Sequence, residues 1–407
     1  MHREPCPAAR PTDRPEPRVT LGEVVRAHGA ALSPLSPQQR RALAAIATCR
    51  TPALGGHRSA CDSCGFSVVS FNSCCNRHCP QCQALAQARW IEARQADLLP
   101  VEYHHVVFTI PTQLHDLFLH NPAVAYGLLF SAAADSLLTL ARDPRLLGAH
   151  TGLMAVLHTW TQTLAYHPHV HAIVPGGGPS PDGTRWVSAR EGYLLPVRPL
   201  SVLFRGKLLA AVQEALGDGR MAAPEGTNVR RDLKRAARKK WCVYSKPSFV
   251  GPEHVLRYLG RYTHRIAISN GRLVSLDNGQ VTFRYIDRTD GDRPRTMTLP
   301  ADQFLRRFLL HVLPPGFVRI RYFGGLANPC RKRWLERARE LLADRGVAAP
   351  PAPLAPKDPE PWHELLLRLT GVDVTRCPHC KTGRLVVVER FEPTNQDRLP
   401  PARAAPT

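Results

Sequence analysis

The chain has 407 residues, of which 43% are hydrophobic and 21% charged, enough for two or three domains with a sizeable core. Its 54 lysines and arginines outnumber 33 aspartates and glutamates, giving a formal net charge of +21. This excess favours a polyanionic partner, most often nucleic acid. An anionic membrane surface is a weaker alternative, because no amphipathic helix rich in lysine and arginine stands alone.

Residues 1–20 are charged and rich in proline, so we expect a flexible tail and no secretory signal. The most apolar segment, PAVAYGLLFSAAADSLLTLA at 122–141, contains Asp135, which predicts a buried helix rather than a membrane span. We therefore expect no membrane partner and a cytoplasmic protein associated with the bacterial nucleoid. In a reducing compartment, twelve cysteines indicate metal binding more than disulfides.

The hydrophobic periodicity predicts a mixture of helices and strands along the chain. In chain order, we expect helices at 21–48, 83–99, 200–216, 252–265, 301–313 and 331–346, and strands at 103–110, 153–160 and 169–174. The segment 271–287 is typical of a hairpin that turns at Asn278-Gly279. This mixture predicts an α+β fold.

Composition divides the chain into five segments. They are a flexible tail at 1–20, a zinc-binding module at 21–98, a sheet domain at 99–346, a Pro-rich linker at 347–361, and a C-terminal tail at 362–407.

Seven of the twelve cysteines lie between Cys49 and Cys82. Zinc prefers four tetrahedral sulfur or nitrogen ligands, and each CxxC pair places two sulfurs on one ion. The predicted first site contains Cys61, Cys64, Cys79 and Cys82, and the predicted second site contains Cys49, His57, Cys74 and His78. Cys75 is an alternative to Cys74. Closed sites of this kind stabilise a fold and leave no open position for catalysis.

The tail carries one further pair, Cys377-Pro-His-Cys380, followed by Gly383. One such pair is half of a zinc ribbon, and the sequence offers no clear partner for it. Its neighbours His363 and His379, or a second copy of the chain, remain open as sources of further ligands.

The segment YHPHVHAIV at 166–174 has a histidine at every second position. Side chains alternate along a strand, so His167, His169 and His171 are expected on one face. Two imidazoles two residues apart on a strand converge on one cation. Imidazole suits Mn, Zn, Fe or Ni, and two histidines with water and a phosphate also suit Mg²⁺ or Mn²⁺.

The segment RYLGRYTHR at 257–265 places Tyr258 and Tyr262 on one face of a predicted helix. A tyrosine oxygen can attack a phosphodiester and form a covalent phosphotyrosine. The nearby Arg257, Arg261 and Arg265 would lower the phenol pKa and hold phosphates.

Two other segments suit DNA. VRRDLKRAARKKW at 229–241, with Lys234 and Arg235, is either a solvated helix face or a phosphate track. RIRYFGGLANPCRKRW at 319–334 interleaves arginines with aromatic residues that either pack in the core or stack on unpaired bases.

Several motifs together resemble one known family. They are ALGGHRSACDSCG, FNSCCNRHCPQC, VVFTIPTQL, HPHVHAIVPGGG, YLGRYTHRIAISN and FLRRFLLHVLPPGFVRIRYFG, which span about 20–345. The chain resembles the rolling-circle, two-tyrosine insertion-sequence transposases of the insertion-sequence-ninety-one (IS91) type, which are HUH endonucleases.

The zinc-binding module also carries Arg77, which suits a phosphate contact on its surface. The resemblance implies that this module recognises DNA and is followed by an antiparallel-sheet HUH endonuclease domain over 99–346. His169 and His171 would be the metal-binding pair for Mg or Mn, with His167 adjacent, and Tyr258 and Tyr262 the nucleophiles. The implied reaction cleaves one DNA strand at an element end, bonds tyrosine to the 5′-phosphate and frees a 3′-hydroxyl. Single-stranded or unpaired element ends and target DNA would be the substrates.

Two features depart from the family pattern. Cys75 stands where the family usually has arginine, and the third metal ligand is unidentified, with His158, Glu253 and His264 as candidates. Two alternatives remain open: a replication initiator or relaxase-like nickase, and a non-catalytic zinc-dependent DNA-binding protein.

Overall fold

The computed structural model describes residues 19–249, 267–288, 290–347 and 360–394. The predicted helix at 252–265, with both tyrosines of the YxxxY motif, lies outside these residues, as does most of the Pro-rich linker.

The described helices and strands confirm the α+β class. The helices are α1 (Leu21–His28), α2 (Pro37–Thr48), α3 (Gln83–Gln95), α4 (His115–His120), α5 (Pro122–Arg142), α6 (Val197–Gly217), α7 (Val229–Arg238), α8 (Ala301–Leu309), α9 (Arg331–Ala343) and α10 (Trp362–Thr370). The strands are β1 (Gly56–Cys61), β2 (Ser67–Phe71), β3 (Tyr103–Thr109), β4 (Gly152–Trp160), β5 (Tyr166–Pro175), β6 (Gly177–Pro179), β7 (Trp186–Ser188), β8 (Val243–Phe249), β9 (Leu273–Asp277), β10 (Gln280–Asp287), β11 (Arg293–Pro300), β12 (Ile320–Gly324) and β13 (Leu385–Phe391).

The central element is a five-stranded antiparallel sheet in the order β12-β4-β5-β3-β8. Strand β4 is buried along its whole length, because both faces of the sheet are covered there. On one face, alternate residues such as Phe108, Leu157 and Val170 pack against α5 and α6 in the main hydrophobic core. The residues between them point to the opposite face of the sheet, and the histidines of β4 and β5 are among these.

Helix α5 is long and apolar enough to cross a membrane by length and composition alone. Half of its most apolar window is buried inside the protein, and Leu129, Phe130 and Leu137 lie in the main core. The expectation of a buried helix at 122–141 is thus confirmed as a core helix.

A second core joins the N-terminal helices to a three-stranded sheet in the order β11-β10-β9. Helices α1 and α2 each begin with a capping box, formed by Thr20 with Glu23 and by Ser36 with Gln39. The predicted hairpin turns as expected, because Asn278 has φ 48° and Gly279 has φ 72°, the left-handed pair of a type I′ turn.

The zinc-binding head contains a small antiparallel sheet in the order β13-β1-β2. Strand β13 belongs to the segment 362–407, predicted as a C-terminal tail, and it pairs with β1 from Leu385 opposite Cys61 to Phe391 opposite Gly56. The sequence did not predict this pairing. The head is therefore built from two distant segments of the chain.

Candidate functional site

The histidines of β5 lie on the sheet face opposite the main core. Antiparallel pairing with β4 sets His158 opposite His169, and Val156 opposite His171. Directly paired residues point to the same side of a sheet, so three imidazoles converge. One nitrogen from each of His158, His169 and His171 lies within 4.8 Å of the others. This trio, named here the histidine cluster, is the candidate active centre.

Hydrogen bonds orient two rings of the histidine cluster. The Nδ1 atom of His169 lies 2.6 Å from the carbonyl oxygen of His167, so Nδ1 donates and Nε2 keeps its lone pair. The Nδ1 atom of His171 lies 2.7 Å from Nε2 of His105, and the two rings stack at 5.0 Å. Such outer partners fix the ring orientation that a metal ion requires.

Burial keeps the neighbouring imidazole neutral. It lowers the pKa of His105 to about 4, so this ring is uncharged at neutral pH. His171 is 8% exposed, and His158 stacks on Trp160 at 4.7 Å between ring centroids. A cluster of oriented imidazoles fits a divalent cation such as Mn²⁺, Zn²⁺ or Fe²⁺ well, whereas Mg²⁺ would need additional oxygen ligands.

The structure changes one predicted member of this site. His167 is predicted to lie with His169 and His171, and its ring centroid is 5.3 Å from that of His169 and 5.9 Å from that of His115, but its nitrogens are not among those that converge in the cluster. The pairing of β4 with β5 is irregular between His158 and Trp160, and Tyr166 rather than His167 lies opposite Trp160. His167 contributes its backbone carbonyl instead. Of the three candidates for the third ligand, His158 is in the cluster, and Glu253 and His264 lie outside the described residues.

Four cysteines of the head form a compact group at the junction with the second core. The sulfur atoms of Cys49, Cys74, Cys79 and Cys82 lie within 4.8 Å of one another. The Cys49–Cys82 and Cys74–Cys82 sulfur distances are 3.4 Å and 3.6 Å. A tetrahedral zinc ion with bonds of 2.3 Å separates its sulfurs by about 3.8 Å. This group, named here the head cluster, fits zinc without rearrangement.

The head cluster corrects the predicted pairing of zinc ligands. Cys79 and Cys82 lie with Cys49 and Cys74 rather than with Cys61 and Cys64. The hairpin of β1 and β2 explains this difference. Cys61 and Cys64 lie at its turn, whereas Cys49 and Cys74 lie beyond its open end. Five residue steps along β1 span about 17 Å, so Cys61 cannot reach the cysteines at the start of the strand.

The remaining predicted ligands take other positions. Cys61 and Cys64 lie with Cys377 and Cys380, the C-terminal pair for which the source of further ligands was open. His57 and His78, predicted as ligands of the second site, are in neither cysteine group. His57 lies on β1 between Ser70 and Arg390 of the neighbouring strands.

His78 and Cys75 lie outside both cysteine groups. Burial lowers the pKa of His78 to about 3, so its ring is neutral. Cys75 has φ 52° and is exposed, which turns its side chain away from the head cluster and leaves Cys74 as the ligand.

The residues predicted to contact DNA differ in their positions in the structure. The guanidinium of Arg77 donates to the carbonyl oxygens of Phe317 at 2.6 Å and of Pro314 at 2.9 Å. Arg77 thus ties the head to the sheet domain rather than facing solvent. Lys234 and Arg235 are exposed on α7, as expected for a phosphate track. The arginines of the YxxxY segment, Arg257, Arg261 and Arg265, lie outside the described residues.

Comparison with known proteins agrees with this combination of a cysteine-rich head and an antiparallel sheet domain. A family model described as "Transposase zinc-binding domain" matches residues 22–110, and one described as "Putative transposase" matches residues 152–333. "Putative transposase y4qJ" of Sinorhizobium fredii is 48% identical over 378 residues, which cover 91% of this chain and 93% of that protein. "Transposase for insertion sequence element IS801" of Pseudomonas savastanoi pv. phaseolicola is 31% identical over 349 residues, covering 82% of this chain and 79% of that protein. No solved structure matches.

These matches, together with the cysteine-rich head and the antiparallel α+β core, define a zinc-binding DNA transposase. The chain belongs to the IS91-type transposases, as the motifs of the sequence indicated.

We predict that the head cluster binds one zinc ion. Cys79→Ser/Cys82→Ser should lose one zinc per chain, because two of four sulfurs are removed and the remaining pair cannot close a tetrahedron. Metal analysis of the purified protein measures this loss. Cys75→Ser is the matched control, since its side chain lies in the same loop but outside the cluster. Equal zinc content in Cys79→Ser/Cys82→Ser and the control would refute the assignment.

Proposed function

We propose that this transposase cleaves and transfers single DNA strands at the ends of its element by rolling-circle transposition, through a metal-assisted 5′-phosphotyrosine intermediate. The histidine cluster is the observation that carries the proposal. Three oriented imidazoles converge on the sheet face opposite the main hydrophobic core. Packing alone does not require this convergence, whereas a catalytic cation would be bound by it.

The cation, Mg²⁺ or Mn²⁺, would act as a Lewis acid that polarises the scissile phosphate. His158, His169 and His171 would hold it through ring nitrogens, and the partners of His169 and His171 keep those nitrogens aimed inward. Imidazole ligands favour Mn²⁺ over Mg²⁺ at this site.

Tyr258 and Tyr262 are the proposed nucleophiles. A phenolic oxygen would bond to phosphorus while the bond to the 3′-oxygen breaks, and the released 3′-oxygen would take up a proton as a hydroxyl. In the second transfer, a 3′-hydroxyl attacks the phosphotyrosine and regenerates the phenol. The phosphodiester energy is conserved, so no nucleotide cofactor is required.

The length of chain between Tyr262 and the described residues is compatible with this role. Ala267 packs in the same core as Trp160, which stacks on His158. Five residues of extended chain span at most about 18 Å, a reach that is compatible with the proposed role of Tyr262 at the sheet that carries the histidine cluster.

A groove of about 770 Å³ beside strand β12 is the proposed path of the single strand. It is lined by Trp90, Arg94, Pro314, Arg321, Tyr322 and Arg331, among others. The guanidinium groups of Arg94 and Arg331 lie 5.9 Å and 5.6 Å from the centre of the Tyr322 ring. Aromatic faces for bases and cations for phosphates are the combination that binds single-stranded nucleic acid.

The groove lies close to the histidine cluster. Ile320 pairs with Val156, which pairs with His171, so β12 is two strands away from the histidines on the same sheet. Two strand spacings are about 10 Å, roughly the length of two nucleotides. A strand held in the groove could therefore pass its next phosphates over the cluster.

A replication initiator or relaxase-like nickase would share this chemistry, and the family membership of the chain favours the transposase. A non-catalytic zinc-dependent DNA-binding protein would keep the head but would not need the histidine cluster. We expect a bacterial nucleoid-associated protein, since its substrate is DNA.

We predict a covalent protein–DNA adduct when the protein is mixed with Mn²⁺ and single-stranded element-end DNA. Tyr258→Phe/Tyr262→Phe should abolish the adduct, because a phenyl ring has no oxygen to attack phosphorus. Denaturing gel electrophoresis of end-labelled DNA measures it. Tyr193→Phe is the control, as this tyrosine is exposed and distant in sequence from the motif. An adduct that persists would assign the nucleophile elsewhere, with Tyr244 as the next candidate on the histidine face.

We predict that His158→Ala, His169→Ala and His171→Ala each lower cleavage at least about a hundredfold while changing DNA affinity less than about threefold. Removing a ligand affects the cation and not the phosphate contacts. Cleavage rates across a Mn²⁺ titration and a binding assay without metal separate the two effects. His120→Ala, on the exposed end of α4, is the control. Equal losses of binding and cleavage would make the histidines structural.

We predict that Arg321→Gln/Arg331→Gln weakens single-stranded DNA binding about tenfold and lowers the salt dependence of log K by about 1.4, since two phosphate contacts are lost. Fluorescence anisotropy at several salt concentrations measures both quantities. Arg333→Gln, exposed on the same helix α9 but not lining the groove, is the control. An unchanged salt slope in Arg321→Gln/Arg331→Gln would place the strand elsewhere.

A further inference from the structure

A second group of four cysteines joins the two ends of the described chain. The sulfur atoms of Cys61, Cys64, Cys377 and Cys380 lie within 4.8 Å of one another. The Cys61–Cys380 and Cys64–Cys377 sulfur distances are both 3.7 Å, close to the separation of about 3.8 Å that a tetrahedral zinc ion imposes. More than 300 residues separate the two pairs in sequence.

The backbone around these cysteines is arranged for thiolates. The amide of Ser63 lies 3.4 Å from the sulfur of Cys61, and the amide of Gly383 lies 3.3 Å from the sulfur of Cys380. Amide–sulfur bonds of this kind stabilise the charged form that binds metal.

Gly383 shows how closely the two knuckles approach. A Cβ atom at this position would lie 2.4 Å from the sulfur of Cys61 and 2.7 Å from the carboxylate of Asp62. The same carboxylate accepts a 2.8 Å hydrogen bond from the backbone amide of Arg384. The fit requires glycine, and it holds the C-terminal knuckle against the N-terminal one even before metal is considered.

Two further contacts continue this junction. Strand β13 follows the C-terminal knuckle and adds to the head sheet beside β1, where Arg58 and Glu389 form an ion pair of 2.9 Å. Helix α10 precedes the knuckle and contacts α3, with Arg368 bonded to Glu92 of that helix. The knuckle therefore lies between two elements that are both docked on the head.

We propose that these four cysteines bind a second structural zinc ion, which fastens the C-terminal segment to the zinc-binding head of the same chain. The site is closed, with four thiolates and no open position, so it has no catalytic role. Its effect is architectural: metal binding in the head depends on two cysteines more than 300 residues further along the chain, and this segment becomes part of the zinc-binding head. The zinc site does not depend on the proposed cleavage chemistry.

The test is zinc content in three variants of the full chain: Cys61→Ser/Cys64→Ser, Cys377→Ser/Cys380→Ser, and all four substitutions together. Each should lose one zinc ion relative to the wild type, and the quadruple variant should lose no more than either double variant, because both pairs serve one ion. Cys75→Ser/Cys242→Ser, two exposed cysteines outside both groups, should retain the wild-type content. Full zinc in Cys377→Ser/Cys380→Ser would overturn the proposal.

Two more conservative variants test the site even where the serine variants do not fold. Cys380→His keeps a zinc-binding side chain and should retain the ion. Gly383→Ala should weaken it, so that a chelator removes one zinc at least about tenfold faster than from Gly206→Ala, a helical glycine with open space around it. Equal release rates in Gly383→Ala and Gly206→Ala would contradict the assigned packing.

Mixing two complementary variants shows whether the four cysteines of the site come from one chain or from two. Cys61→Ser/Cys64→Ser and Cys377→Ser/Cys380→Ser, refolded together with zinc, should each remain one ion short. Recovery of one zinc per two chains, together with a dimer in light scattering, would show that the site forms between chains and would overturn the proposed closure.

Discussion

The antiparallel register between β4 and β5 is the constraint on which the candidate active centre depends. With His158 directly opposite His169, the pleat places both rings on one side, and His171 follows two residues later. A shift of one residue in either strand would send one set of rings into the main core. The core face protects against that shift, because Leu157, Val170 and Ala172 are packed there with almost no exposure. The hydrophobic core therefore fixes the geometry of a polar site that it does not touch.

The two cysteine groups differ in how far their cysteines are packed into a hydrophobic core. Cys49 and Cys79 are themselves members of the second core, so the head cluster and that core must form together. The C-terminal group lies in a more exposed position, where Cys64 faces solvent and the adjoining strand β13 is largely exposed. Little apolar burial is available there, so a metal ion is the physical means by which so small a junction holds.

Local patterns in the sequence predicted much of the fold. The alternation of His167, His169 and His171 gave the strand and its polar face, and Asn278-Gly279 gave the hairpin turn. Pairings between distant segments were beyond such reasoning. The CxxC spacing shows that Cys61 and Cys64 share an ion, but not which second pair completes it, since that depends on where the hairpin of β1 and β2 places them.

Two other residues take positions that the sequence did not determine, because these positions also depend on contacts between distant segments. Arg77 looks like a surface cation in the sequence, yet two backbone carbonyls at the start of the groove accept its hydrogen bonds. His158 was one of three candidates for the third ligand, and only its position opposite His169 distinguishes it. In both cases the deciding fact is a tertiary contact across more than ten residues, which periodicity and spacing do not carry.

Helix α3 connects these parts of the molecule. It begins directly after Cys82 of the head cluster, it lines the groove through Trp90 and Arg94, and it receives α10 through Glu92. Trp90 also packs on the histidine face of the central sheet, against Met154 and its neighbours. Loss of either zinc ion would therefore loosen a wall of the groove rather than the histidine cluster, and it should reach catalysis through the placement of the DNA strand. Under the proposed function, the head and the histidine cluster would be coupled through this one helix, and a head without chemistry of its own would influence strand transfer in this way.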